Sequence, residues 1–529
     1  MKNQVYNPFL PLHEYIPDGE PHVFGDRLYI FGSHDREGGD TFCMDDYVTW
    51  SAPVDDLSDW RYEGVIYRAS QDPQYKKPVK RFVHVKENDA LSSLEDDKFL
   101  LLHMYAPDVV QGSDGRFYLY YSMSSYYGVG GYTCPISVAV SDAPAGPYEF
   151  LGFVRNPDGS PMMKYVCFDP AVLNDNGTIR LYYGTQYDYE EREDFSPESE
   201  YVRTEAGMFG RTAEEILSYP DSIMGPVTVT LSDDMLTIAD EPRHIIPYRV
   251  KNTGFEEHPF FEASSMRRVG DKYYFIYSSQ QNHELCYAFS EYPDKDFSFG
   301  GTIVSNGDIG FKGRKEADRM NMTGTTHGSI IEVNGQWYVF YHRLTHKSDY
   351  SRQACAEKIR INPDGTIDQV EITSCGLNDG PLAAKGEYPA VICCNLTDGH
   401  MPHGSNRIYD TVFPNVTHRV TEDGETERFI GEITDGTLIG YKYFSFNSVK
   451  KIGIMAAGDG EFDISLVPGG DIVGRISVKN GEDRWGYSET PVDVPDGIHA
   501  LYLTYHGTGN ASLKSILYLQ GKDISAIIP

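Results

Sequence analysis

Five residues able to hold or move a proton recur at matching places in the 529-residue chain: Asp18, Asp108, Asp169, Glu262 and His327. Each stands eight to ten residues ahead of the residue that follows a tight-turn signal. With 78 Asp and Glu among 529 residues, two acids at five positions could arise by chance, but four acids and a histidine indicate a shared site. Two chemistries suit such a set. Cleavage of a glycosidic bond needs one carboxylic acid to protonate the leaving oxygen and one carboxylate across the sugar ring, as base or nucleophile. A third carboxylate nearby would keep the acid protonated by like-charge repulsion. The alternative is metal binding. A Gly-rich phosphate loop, a CxxC pair and a Gly-x-Ser-x-Gly elbow are all missing from the sequence.

The elements that must position these residues are five β-hairpins. Their second strands read GDRLYIFG, DGRFYLYYS, NGTIRLYYG, GDKYYFIYS and NGQWYVFYH, each opened by a Gly-Asp, Asp-Gly or Asn-Gly turn. The residues after the turns, Arg27, Arg116, Thr178, Lys272 and Gln336, are 89, 62, 94 and 64 apart, room for a four-stranded blade each. In a propeller the innermost strands line one channel, so equivalent strand starts converge at one mouth. The expected fold is all-β: a five-bladed β-propeller over residues 1–376, a linker at 377–387, and a jelly-roll-like β-sandwich at 388–529. Short alternating stretches such as KKIGIMAAG, GEFDISLVPGG and GRISVKNG, separated by Gly, Asp and Asn, carry the last expectation. Residues 64–100 are expected as a solvated loop, with a lid over the mouth as the alternative, and the acidic run after Tyr187 as a surface loop. One short helix is expected at 212–217.

A net charge of −32 argues against nucleic acid, anionic membranes and polyanions, and favours a neutral partner. The 39 tyrosines and 26 phenylalanines offer platforms for sugar rings. Eight scattered cysteines without metal-ligand spacing, and no apolar run near residue 1, lead to the expectation of a cytoplasmic protein with free thiols.

The chain resembles glycoside hydrolase family 43, five-bladed propellers that release arabinose and xylose with inversion. The resemblance lies in IPDGEPHVFGDRLYIFGSHD (16–35), APDVVQGSDGRFYLYYS (106–122), CFDPAVLNDNGTIRLYYG (167–184), FFEASSMRRVGDKYYFIYS (261–278) and THGSIIEVNGQWYVFYHR (326–343). It implies Asp18 as general base, Asp169 as pKa-modulating carboxylate and Glu262 as general acid. It further implies His327 as a channel histidine that lines the sugar site or helps hold an ion, often calcium, and Arg352 as a sugar-binding arginine whose alternative is a surface ion pair. Asp108 matches a position outside the catalytic three, as a substrate contact or a strand-start hydrogen bond. Gly19 stands where a proline usually follows the first aspartate, which leaves Glu20 as a rival for the role of Asp18. The C-terminal region resembles family 6 carbohydrate-binding modules, with Trp485 as a stacking aromatic.

The expected function is an inverting exo-glycosidase acting on terminal α-L-arabinofuranosyl or β-D-xylosyl residues of arabinan, arabinoxylan or xylan fragments. No cofactor is needed for that chemistry; a Ca2+ ion in the channel or the sandwich, and a homo-oligomer, are compatible with it. The rivals are a non-catalytic carbohydrate-binding protein and another propeller enzyme, such as a β-galactosidase, β-fructosidase or glycoside phosphorylase.

Overall fold

The structure is a computed structural model describing residues 4–78, 99–124, 132–187, 196–219, 222–248, 250–404 and 411–520. Alternating apolar and polar residues around Gly-rich turns fold into five antiparallel sheets. Four have four strands and the fifth, Ser329–Val333 with Gln336–Leu344 and Arg352–Ile359, has three. The innermost strands are Glu20–Phe24, His103–Gln111, Ala171–Asp175, Phe260–Val269 and Ser329–Val333. Each touches the next, and the fifth touches the first, so the ring closes into the expected propeller.

Apolar side chains fill every seam between blades. Leu28, Ile30, Val48 and Trp50 of the first blade pack on Tyr338, Phe340, Ala354 and Ala356 of the fifth. Asn7 closes that seam with its side chain. Its amide nitrogen donates to Ala356 O at 2.9 Å, and its oxygen accepts Ala356 N–H at 3.0 Å, while Phe9 N–H reaches Ala354 O. The first and last blades are thus joined by hydrogen bonds as well as by packing.

Two loop expectations change. The acidic run after Tyr187 contains a helix, Glu200–Met208, capped by Ser199 and burying Val202. It packs with Phe209, Ile216 and Phe168 in one apolar cluster. A second helix, Ala213–Ser218, has the capping box Thr212/Glu215 and lies where a short helix was expected. Of the 64–100 segment, Arg61–Tyr67 is the last strand of blade one and Lys76–Pro78 pairs with Phe99–Leu101. Residues 79–98, on which the lid reading falls, lie outside the described residues.

Beyond the propeller, ten strands form the expected all-β second domain, joined in one hydrogen-bonded sheet that curls on itself. The cause lies in two long strands, Val449–Ser465 and Ile472–Pro491. The first pairs with the second and also with Gly497–Gly507 and Ala511–Gln520, so it passes from one layer to the other. Gly-Asp-Gly at 458–460 and Asn-Gly at 480–481, read as turns, sit inside these strands, and pairing shifts register at 456–459. Among the described residues, no helix is long and apolar enough to cross a membrane.

Candidate active site

Strand pairing sorts the predicted residues into two ranks. Glu20, Asp108, Ala171, Ser265 and Ser329 lie opposite Phe31, Tyr120, Tyr182, Ile276 and Phe340, the equivalent residues of the second strands. Two residues nearer the mouth come Asp18, Ala106, Asp169, Ala263 and His327. Four of these five adopt left-handed backbone: Asp18 at φ 57, Ala106 at 34, Asp169 at 42 and Ala263 at 70. Non-glycine residues rarely do so, and such geometry gathers at functional sites. In blade four a bulge between Glu262 and Ser265 brings Glu262 to the mouth just ahead of Ala263. Gly328 must follow His327 because a Cβ there would lie 1.9 Å from Phe340 O.

Asp18, Asp169 and His327 meet. His327 Nδ1 stands 3.7 Å from Asp18 Oδ1 and 3.7 Å from Asp169 Oδ2. Arg352, at the start of the third strand of blade five, is buried and not on the surface. Its Nη1 donates to both Asp18 oxygens at 2.9 and 3.1 Å. Burial would raise the pKa of Asp18, but Arg352, helped by His327 and His342, outweighs it and holds the carboxyl below its ordinary range. Burial also holds the histidines neutral, His327 pushed down to about 4 and His342 to about 3.

The other two acids are driven the opposite way. Burial and the charge of Asp18 push Glu262 up to about 8. Asp169 is raised by burial, by Glu262 and by Asp18. The pair therefore retains a proton at neutral pH. Asp169 Oδ2 accepts Ala263 N–H at 3.2 Å, which favours its anion. Among the described residues no hydrogen bond reaches the Glu262 carboxyl, so nothing of that kind offsets its burial. One carboxylate kept ionised and one carboxyl kept protonated at a single mouth are the two states that glycoside hydrolysis requires.

Rings line this mouth. Tyr350, Phe42, Tyr105, Phe168, Tyr132, Tyr187 and Phe261 follow one another with centroids 4.6 to 6.5 Å apart. The aromatic excess in the sequence foretold such rings without naming them. His342, Asp35, Phe42 and Cys43 escaped the sequence reading. His342 Nδ1 accepts Asp18 N–H at 3.3 Å, and its Nε2 lies 3.0 Å from Thr325 O, which fixes the tautomer. A signal for it existed: the other hairpins carry Ser33, Ser122, Gly184 and Ser278 at the equivalent position. Asp35 accepts Arg352 Nε at 2.8 Å and Nη2 at 3.0 Å, a contact no local pattern announces.

Asp108 belongs to the deeper rank because the turn of blade two is one residue longer, Ser113-Asp114-Gly115, which offsets a count made back from Arg116. It is fully buried, with Oδ1 2.6 Å from His22 Nε2 and Oδ2 accepting Val172 N–H at 2.7 Å. It ties three blades together and has no surface for a substrate. Glu20 pairs with Arg267 at 2.5 Å and faces down the channel, so Asp18 alone of the two faces Asp169. Trp485 is not brought to the mouth. Its indole N–H donates to Glu427 at 3.0 Å and Arg419 lies 5.0 Å from its ring, all within the C-terminal sheet.

Three groups of metal-competent side chains occur among the described residues: Glu20/His22/Asp108, His258/Glu284/Cys286 and Glu37/His346/His418. His327 belongs to none of them.

No protein-family model matches the chain. It is 43% identical over 527 residues to a xylosidase/arabinosidase of Thermoclostridium stercorarium, covering 97% of this chain and 99% of that protein. It is 29% identical over 374 residues to xylosidase/arabinosidase 43A of Humicola insolens, covering 67% of this chain and 96% of that one. Among solved structures, a family 43 arabinoxylan arabinofuranohydrolase from Bacillus subtilis in complex with cellotetraose aligns at TM-score 0.46 and 19% identity, with 97% of each chain covered. An identity of 43% along nearly the whole of both chains settles the family. The chain is a glycoside hydrolase and belongs to the xylosidase/arabinosidase family, glycoside hydrolase family 43.

Proposed function

We propose that the protein is an inverting exo-glycosidase releasing terminal α-L-arabinofuranosyl or β-D-xylosyl residues from oligosaccharides derived from arabinan, arabinoxylan or xylan. The observation that carries this reading is the opposite poise of two carboxyls at one mouth, Asp18 held ionised by Arg352 and Glu262 held protonated. Asp18 takes a proton from water as that water attacks the anomeric carbon. Glu262 gives its proton to the departing oxygen, and Asp169 keeps the acid protonated until then. The aromatic collar supplies apolar faces for sugar rings, and the uncharged substrate agrees with a strongly acidic chain. The name borne by the full-length relative supports the choice of pentosides.

For calcium, the channel group Glu20/His22/Asp108 is the better donor set than His327. Its ligand atoms lie within 4.8 Å of one another, and Glu20 Oε1 is buried without a partner. An ion there would brace the blades beneath the site, and the hydrolytic steps do not involve it. Eight cysteines, none of them in a disulfide, support a reducing, cytoplasmic setting.

A panel of aryl glycosides (α-L-arabinofuranoside, β-D-xyloside, β-D-galactoside, β-D-fructofuranoside) tests the reading, with Glu262→Ala alongside. Turnover of a pentoside supports it. Turnover of the galactoside or fructoside alone, or silence toward both the panel and short arabino- and xylo-oligosaccharides, refutes it.

A further inference from the structure

Arg352 is gripped by two stretches of chain, and one hairpin of the C-terminal sheet holds both. The first stretch is 35–43. From its inner side Asp35 receives the guanidinium fork, the Phe42 ring lies 4.8 Å from the guanidinium carbon, and Cys43 N–H donates to Asp35 Oδ1 at 2.9 Å. From its outer side Glu37 receives a second fork, Arg428 Nε to Oε1 at 2.8 Å and Nη2 to Oε2 at 2.5 Å. Tyr15 fastens both sides, its carbonyl accepting Asp35 N–H at 2.9 Å and its hydroxyl donating to Glu37 at 3.2 Å. The second stretch is 345–351, which leads into Arg352. Thr345 O accepts Val416 N–H at 2.9 Å, and Lys347 pairs with Glu432.

Val416, Arg428 and Glu432 all lie on the antiparallel pair Asn415–Val420 and Thr426–Ile433, where His418 stands directly opposite Arg428. His418 Nδ1 is 3.6 Å from Glu37 Oε1 and 3.5 Å from His346 Nε2, which makes Glu37/His346/His418 a metal-like donor group. Both oxygens of Glu37 are taken by the Arg428 fork, however, so the group is spent on joining the two parts of the chain. The Glu37 and Arg428 side chains are only 16% and 18% exposed, so neither is a free surface charge that salt would simply screen.

We propose that Arg428 is a positioning residue for hydrolysis: by holding Glu37 from the C-terminal sheet, it fixes the stretch that grips Arg352 against Asp18. The C-terminal sheet then serves the propeller as a clamp on its active site. This rests on the glycosidase reading, because turnover is its readout.

The test compares Arg428→Ala, Arg428→Lys, Glu37→Gln and the double variant Glu37→Gln/Arg428→Ala with the wild type, in the full chain and on the preferred aryl glycoside. A loosened Arg352 lowers kcat about tenfold or more with little change in KM. It also moves the acid limb of the pH profile to higher pH, since Asp18 loses part of its hold on the anion. Arg428→Lys restores part of the rate, and the double variant costs no more than either single one, because both cut the same connection. Wild-type kcat and an unmoved acid limb in variants whose thermal midpoint has fallen would overturn the proposal, leaving a purely structural contact. Should Arg428→Ala fail to fold, the near-isosteric Glu37→Gln decides on the same readouts. An active wild type with an inactive Asp18→Asn secures the glycosidase reading independently, so failure of the clamp and failure of that reading are told apart.

Discussion

Arg352 and Asp18 are joined through one guanidinium nitrogen, Nη1, which lies 2.9 Å from Oδ1 and 3.1 Å from Oδ2 of the carboxylate. The remaining nitrogens of the same group hold Asp35. A cation shared between two buried acids keeps Asp18 ionised in a mouth where its neighbours Asp169 and Glu262 are driven toward protonation. The site's asymmetry therefore begins with an arginine from the blade that supplies none of the three acids.

Replacing Asp18 by asparagine removes the base and leaves the side-chain shape. Turnover of aryl and natural substrates alike falls by about 10²–10⁴-fold, and the thermal midpoint of the still folded protein drops because Arg352 loses one of its two buried partners. Steady-state kinetics with circular dichroism of the same samples measures both.

Glu262 acts on the leaving group, so its removal discriminates among substrates. Glu262→Ala retains activity on aryl glycosides with acidic phenols, whose departure needs little protonation, and loses oligosaccharides. Equal losses on both would place the acid elsewhere.

The pH profile of kcat/KM is bell-shaped, with the alkaline limb near the value of about 8 to which Glu262 is pushed. Asp169→Asn removes a neighbouring negative charge, so that limb moves to lower pH. Stability follows the same carboxyl. A pKa raised in the folded state gives stability that is present below the ordinary value of 4.5 and is lost as pH rises toward about 8. Glu262→Gln is exempt from that loss, so its thermal midpoint gains on the wild type across this window.

Legibility of the sequence depended on how far a pattern reached along the chain. Two-residue turns made the hairpins plain, and counting back from them found Asp18, Asp169, Glu262 and His327. The same count misplaced Asp108, because one extra turn residue shifts a strand with a two-residue repeat and the turn of blade two has three. Asp35 and His342 went unseen for another reason. Asp35 touches Arg352 across 317 residues and His342 touches Asp18 across 324. In the C-terminal part, glycines at 458 and 481 looked like turns and are bends within long strands, since a positive φ serves a bulge as readily as a turn. The all-β domain was expected, and the length of its two longest strands was not.

Ring closure at Asn7 makes a separate prediction. Asn7→Ala leaves Ala356 N–H and Ala356 O unpaired in a fully buried seam, at a cost of about 2–4 kcal/mol. Urea unfolding followed by tryptophan fluorescence reads this directly, and kcat at low temperature stays close to wild type because Asn7 contacts none of the mouth residues.

The stereochemistry of the first product tests the central claim most directly. A base that activates water across the ring from the acid gives a sugar of inverted anomeric configuration, whereas a nucleophilic Asp18 would give retention. The measurement is a proton NMR time course of the anomeric signals during the first minutes of hydrolysis of the preferred pentoside, before mutarotation. The account predicts that the inverted anomer appears first; first appearance of the retained anomer would contradict the roles given to Asp18 and Glu262.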